Sequence, residues 1–174
     1  MMEIRLLTAD AMTHALSDLT EVLRDCVEGG ASVGFMLPFS QGEALAFWEG
    51  VQRAVAAGEV LLLVAEQAGR VVGTVQVGLK LPPNQPHRGE IKKLLVHTRA
   101  RGQGLARHLM TAAEKAATEA GKQLLVLDTA TGEPAEAIYE RLGWSKAGVI
   151  PNYALFPDGR FCATTIFYKL EPAR

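Results

Sequence analysis

The sequence predicts an α/β protein built on a mixed sheet, and three observations predict it. Short apolar runs bounded by glycine, proline or turn residues alternate with longer stretches of three-and-four apolar spacing, in the order β, α, α, β, β, β, α, β, α, β, β. One strand–helix–strand unit, from Glu90 to Asp128, has the length of a right-handed parallel crossover. Tight turn signals join the runs elsewhere, which implies antiparallel neighbours. With 174 residues, 48% of them apolar, residues 1–174 are read as one domain around one core.

The elements follow in order. Glu3 to Leu7 alternates charged and apolar residues as a strand. Thr8 to Val27 carries Leu16, Leu19, Leu23 and Cys26 or Val27 on one helical face and stops at Gly29-Gly30. The connection that follows, G-G-A-S-V-G-F-M-L-P-F-S, is apolar for a loop; it either folds back onto the core or forms a wall over a substrate. Ser40 with Glu43 makes a capping box for a helix bearing Leu45, Trp48, Val51 and Val55, ending near Gly58. Val60 to Glu66 and Arg70 to Gly78 read as strands joined through Gln67-Ala68-Gly69. The prolines of Leu81 to His87 make a connecting loop, after which Glu90 opens a central strand. Gln123 to Asp128 is a short buried strand, and Pro134 opens a short helix with Ala135, Ile138, Tyr139 and Leu142 on one face. Val149 to Phe156, the turn Pro157-Asp158-Gly159, and Phe161 to Leu170 read as a terminal hairpin.

Composition narrows the function. The formal net charge of -1 argues against a nucleic-acid binder, which carries a broad basic face. No apolar run approaches the ~20 residues that span a bilayer, and the first residues lack a leader pattern, so a cytoplasmic protein without membrane partners is expected. Cys26 and Cys162 lie far apart without metal-ligand spacing; free thiols and no metal are expected.

The chemistry concentrates after the central strand. Lys92, Lys93, His97, Arg99, Arg101, Arg107 and His108 follow one another with no carboxylate between Glu90 and Glu114, so the loop reads as cationic. Gly102 and Gly104 stand just before Leu105, where a helix begins. Glycine admits close approach of backbone to a ligand, and a helix N-terminus offers unpaired N–H groups. The pattern predicts a phosphate or pyrophosphate site. A dinucleotide fingerprint is disfavoured because its third glycine position holds Arg107, and the phosphate-loop motif G-x-x-x-x-G-K-[ST] is absent.

What remains is R-A-R-G-Q-G at Arg99 to Gly104, which resembles the pyrophosphate loop of the GNAT superfamily of N-acetyltransferases. The resemblance extends to the strand ending in Asp128 and to A-E-A-I-Y-E-R-L-G-W at Ala135 to Trp144. Within the superfamily the chain is most similar to the tabtoxin-resistance acetyltransferases, through H-R-G-E-I-K-K-L-L-V, L-L-V-L-D-T, P-N-Y-A-L-F-P-D-G-R and G-A-S-V-G-F. One departure is Gly132, where many members carry asparagine seven residues before the tyrosine.

The resemblance implies a GNAT fold: a mostly antiparallel twisted sheet with a central parallel strand pair and flanking helices. It implies acetyl-CoA as cofactor, bound by Leu94, Leu95 and Val96 along the strand, by Arg99, Arg101, Gly102, Gln103, Gly104, Leu105 and Ala106 at the loop, and by Ala135 and Ile138. Acetyl transfer to an amine needs a base, since an alkylammonium has a pKa of about 10. Glu90 and Asp128 are the carboxylates placed near a common cleft, with Glu90 preferred as base and Asp128 as partner; Tyr139 is the candidate acid for the departing sulfur. Ser32, Phe35, Phe39, Trp48, Asn152 and Tyr153 are the candidate acceptor contacts. The expected acceptor is a small amine, an amino-acid-like toxin or antibiotic. A protein or peptide amine and a noncatalytic acyl-CoA sensor are the alternatives, and a homodimer through the terminal hairpin is a possible assembly.

Overall fold

Thr8 and Ser40 start the first two helices as their side chains dictate. Thr8 accepts a hydrogen bond from the Ala11 N–H, and Ser40 and Glu43 close a reciprocal capping box. In the computed structural model, which describes residues 1–171, β1 (Met2–Leu7) is followed by α1 (Ala9–Glu28) and α2 (Gln41–Ala56). Next come β2 (Val60–Gln67), β3 (Arg70–Gly78), β4 (Arg88–Val96), a 3-10 turn (Thr98–Ala100) and α3 (Leu105–Glu119). β5 (Leu124–Ala130), α4 (Ala135–Arg141), β6 (Ser145–Leu155) and β7 (Phe161–Leu170) complete the chain. The element order is the expected one. Five strands run longer than expected, because ladder partners extend them: Met2 pairs with Gln67, Arg88 and Gly89 with Leu124 and Leu125, Thr129 and Ala130 with Thr165 and Thr164, and Ser145 with Tyr168.

The seven strands form one sheet in the order β1-β2-β3-β4-β5-β7-β6. Only β4 and β5 are parallel, as the crossover through α3 requires. One face is covered by α1 and α2, which bury Leu19, Leu23 and Trp48 against Leu62 and Val64. The other is covered by α3 and α4, which bury Leu105, Leu109 and Tyr139 against Leu125 and Phe167. Among the described residues no helix is long and apolar enough to cross a membrane.

Two irregularities shape the middle of the sheet. The β4–β5 ladder stops at Glu90 and Val126, after three residue pairs. On the other side of β4 the register with β3 shifts between Thr74 and Gln76, and Lys93 takes up the extra length with a φ of 53°. The Thr74 hydroxyl donates to the Lys93 carbonyl at 3.0 Å and holds the bulge in place.

A single carboxylate ties α3 to the end of the chain. Glu114 accepts from Trp144 Nε1 at 2.7 Å and from Lys169 Nζ at 2.6 Å, and Lys169 also donates to the Leu142 carbonyl at 2.9 Å. The Glu114 and Lys169 side chains are 13% and 24% exposed, so neither is well solvated once its partner is gone. Glu114→Ala is therefore expected to lower unfolding free energy by about 2–3 kcal/mol in urea titration with an unchanged slope, and adding Lys169→Met is expected to recover part of the loss. A loss below about 0.5 kcal/mol, the range of an ordinary surface change, would refute the coupling.

Candidate active site

The loop after β4 delivers an open helix N-terminus. Gly102 and Gly104 both have φ of 75°, the left-handed region that glycine occupies without strain. Gly104 is the N-cap of α3, and among the described residues no side chain caps the first turn, nor does that turn contain an acid. A side chain at Gly102 would meet nothing within 4 Å, so its backbone faces open space. Leu105 anchors the turn by burying its side chain, Ala106 is half-buried, and Gln103 is held by Gln67 Nε2 at 2.7 Å. The first N–H groups of α3 thus point outward unpaired, with the positive end of the helix behind them.

Part of the cationic character read from the sequence is neutralised by carboxylates far earlier in the chain, at Arg99 and beside His97. Arg99 pairs with Glu21, and Arg70 donates to Asp18 at 2.6 Å and to Glu21 at 2.7 Å. Asp25 accepts from the Thr98 N–H at 2.8 Å and its hydroxyl at 2.9 Å. Burial pushes the Glu21 carboxyl up, but hydrogen bonds from Arg70 and Arg99 outweigh it and hold it below its ordinary value. Arg101 turns inward and donates to the Val96 carbonyl at 3.0 Å. The loop therefore offers main chain to an anion more than free guanidinium. Asp18, Glu21 and Asp25 were missed in the sequence because their spacing reads as a solvated helix face.

Beyond Glu90 and Val126 the two parallel strands part, and the candidate catalytic side chains gather at that opening. Glu90 and Val126 are directly paired, so Asp128 lies two residues farther along β5, about 6.6 Å, on the same face. Asp128 is an interior residue of β5; it accepts from the Thr164 hydroxyl at 3.4 Å and is otherwise exposed. Glu90 is 43% exposed and takes a hydrogen bond from Arg88 at 3.0 Å. Tyr139 is only 5% exposed, packed between Trp144 and Phe167. Burial pushes its phenol up to about 12; a hydrogen bond with Thr129 works against the shift and the charge of Asp128 adds to it. Leu94 and Val96 are half-buried and Leu95 is buried on the diverging half of β4, with Ala135 and Ile138 half-buried on α4.

The apolar connection after α1 folds back onto the core, with Val33 and Phe35 packed against it and Phe39 within it, and it is tied to the terminal hairpin. The Ser32 hydroxyl donates to the Leu155 carbonyl at 3.2 Å and the Leu37 N–H to the Pro157 carbonyl at 3.0 Å, so the loop leans on the terminal hairpin. Phe35 is half-buried at the front. Phe39 and Trp48 are instead core residues, 5% and 0% exposed, because the connection folds Phe39 inward and α2 turns Trp48 toward the sheet. They brace the connection from behind and present no surface to an acceptor. Phe47, absent from the sequence-derived set, packs edge-on to Phe35 with ring centroids 5.3 Å apart, and Lys93 Nζ faces both rings. The signal for Lys93 was available: two consecutive lysines break the alternation of β4. Asn152, with φ of 53°, and Tyr153 stand exposed on the hairpin.

Comparison with known proteins places this geometry. The fold matches an N-acetyltransferase of Staphylococcus aureus Mu50 with a TM-score of 0.80 at 21% identity, covering 98% of each chain. It matches a ribosomal-protein-alanine N-acetyltransferase of Brucella melitensis with a TM-score of 0.79 at 23% identity, covering 97% of this chain and 99% of that one. It matches a GNAT superfamily phosphinothricin acetyltransferase of Sinorhizobium meliloti, solved with acetyl-CoA, with a TM-score of 0.79 at 19% identity, covering 98% of this chain and 89% of that one. At these identities the likeness is one of fold. A family model described as Acetyltransferase (GNAT) family matches residues 18–144, well over half of the sequence. The glycine loop, the parting strands and the family match together identify the chain as a member of the GNAT acetyltransferase family, with acetyl-CoA as its acyl donor.

Proposed function

We propose that the protein transfers the acetyl group of acetyl-CoA directly to the amine of a small, amino-acid-like molecule, with a carboxylate as base. The observation that carries this reading is that Glu90 and Asp128 share one sheet face at the mouth of the opening whose far side is lined by the glycine loop. The tie between the Ser32–Leu37 wall and the hairpin narrows the approach and favours a small acceptor over a polypeptide segment. The similarity of the Glu90–Val96, Leu124–Thr129 and Pro151–Arg160 segments to tabtoxin-resistance enzymes supports a toxin or antibiotic among such acceptors. Two free, buried cysteines fit a reducing, cytoplasmic setting.

Acetyl-CoA supplies the activated acetyl carbon. The main-chain N–H groups of Gly102, Gly104, Leu105 and Ala106 would hold its diphosphate, and the edge of β4 at Leu94–Val96 that β5 leaves open would line its arm. Glu90, through a water where needed, takes the proton of the incoming amine while Asp128 orients the ammonium form beside it. A main-chain N–H near Leu94 meets the developing oxyanion. Tyr139, whose phenol stays protonated at any working pH, donates a hydrogen bond toward the departing sulfur.

Three measurements test this. Gly104→Ala places a side chain at a positive φ, at a strain of about 1–2 kcal/mol, and calorimetric titration is expected to show acetyl-CoA binding weakened about tenfold, more than by Arg99→Ala; equal affinity in Gly104→Ala and wild type would remove the loop from the site. Glu90→Gln is expected to lower kcat about 10²-fold or more at pH 7 with acetyl-CoA affinity kept, and Asp128→Asn to lower it less. The Glu90→Gln defect should shrink as pH rises past the pKa of the acceptor ammonium, because a neutral amine needs no base; a defect constant with pH would exclude that role. Finally, the exposed Val149, Ile150, Tyr153 and Phe161 of the β6–β7 hairpin support a homodimer across it. Sedimentation velocity should show a dimer that Ile150→Asp dissociates, and a wild-type monomer at micromolar concentration would dismiss it.

A further inference from the structure

The bulge of β4 aims a charge at an apolar wall. Lys93 Nζ lies 5.9 Å from the ring centroid of Phe35 and 5.7 Å from that of Phe47, and a side chain added at Gly34 would come within 3.8 Å of it. Burial lowers the affinity of this amine for its proton, the charge of Lys92 acts in the same direction, and the charge of Asp128 acts against both. Two ring faces stabilise the partly desolvated ammonium, and among the described residues no carboxylate or carbonyl accepts a hydrogen bond from it. Asp128 is near enough to be felt, yet the two form no ion pair.

A second donor lacks an acceptor on the same face of the sheet. Gln76 pairs across β3 and β4 with Lys92, the neighbour of Lys93. It is 2% exposed, and its Nε2 is buried with no hydrogen-bond partner. A buried donor without an acceptor is costly to leave in place. This buried amide and the half-buried Lys93 ammonium lie on the same sheet face as two carboxylates, Glu90 and Asp128. The arrangement is complementary to a zwitterion.

We propose that Lys93 binds the carboxylate of an α-amino-acid acceptor, with Gln76 as the supporting donor, so that the site selects amines bearing an adjacent carboxylate. This deepens the acetyl-transfer reading of the same cleft and rests on it. The amine of such an acceptor meets Glu90 and Asp128, while its carboxylate, one carbon away, meets the ammonium three residues along the same strand. One ammonium and one amide match the single charge and two oxygens of a carboxylate. A phosphate dianion would leave its second charge uncompensated beside Asp128.

The test compares acids with their own neutral analogues. Each common amino acid is assayed by thiol release against its carboxamide and its decarboxylated amine, in wild type, Lys93→Met and Lys93→Arg. The methionine variant packs against Phe35 and Phe47 with similar volume, and melting temperature checks that it folds. For the best acceptor, the wild-type ratio of kcat/KM for acid over amide is expected to be at least tenfold. That ratio should collapse toward one in Lys93→Met, through KM for the acceptor rather than kcat, and be largely kept in Lys93→Arg. An amide as good as its acid in wild type, or a Lys93→Met loss equal for both, overturns the assignment. Acetyl-CoA bound with no amino acid acetylated overturns it too and leaves acetyl transfer to other amines standing; absence of acetyl-CoA binding removes both.

Discussion

The parallel pairing of β4 with β5 lasts for three residue pairs and then fails, and the site is a consequence of that failure. β5 is bonded to β7 along its whole length, Leu124 to Ala130, while β4 stays with β3 as far as Val96. Each strand follows its antiparallel neighbour, and the sheet divides into β1-β2-β3-β4 and β5-β7-β6, joined through Arg88–Glu90 and Leu124–Val126. Parallel strands also demand a crossover, which α3 provides, so its N-terminus must lie at the C-terminal end of β4. Topology alone therefore brings an uncapped helix start, an unpaired strand edge and the side chains of the parting strands to one place.

Charge is arranged to position this loop more than to attract the ligand. Asp18, Glu21 and Asp25 present one face of α1 to Arg70, Arg99 and the start of the 3-10 turn. Exposed ion pairs of this kind contribute about 0–1 kcal/mol each. The carboxylates do more where they accept main-chain N–H groups, at Val71 with 2.9 Å and at Thr98 with 2.8 Å, because those bonds fix backbone. Once Arg99 is committed to Glu21 and Arg101 to the Val96 carbonyl, the proposed selectivity for a diphosphate would fall to N–H groups with a defined direction. A point charge would accept many anions; a set of oriented donors accepts few.

Much of the fold was legible because it is written in local chemistry. Thr8, Ser40 with Glu43, the glycines after α1 and α3, and the prolines after β3 set the element order without any knowledge of partners. What was illegible is what depends on register. Neither the facing of Glu90 and Val126 nor the short interval from there to Asp128 follows from residues on separate strands, and the sequence left the two carboxylates at opposite ends of their strands. The connection after α1 was read as apolar, yet which aromatic faces inward was undetermined: Trp48 and Phe39 went to the core and Phe47 to the cleft. The partial neutralisation of the loop was hidden for the same reason, since its partners lie on α1.

The environment of Tyr139 constrains how the leaving sulfur is served. A thiol of ordinary pKa, about 8.5, is a far stronger acid than a phenol pushed up to about 12 by burial. Full transfer of the phenolic proton to a thiolate would run uphill and would leave a phenolate between Trp144 and Phe167, beside Asp128. A hydrogen bond from the phenol carries no such penalty and stabilises the same developing charge. In the proposed reaction Tyr139 would be a donor that keeps its proton. The proton lost by the amine would then leave through the half-exposed Glu90 and the exposed Asp128.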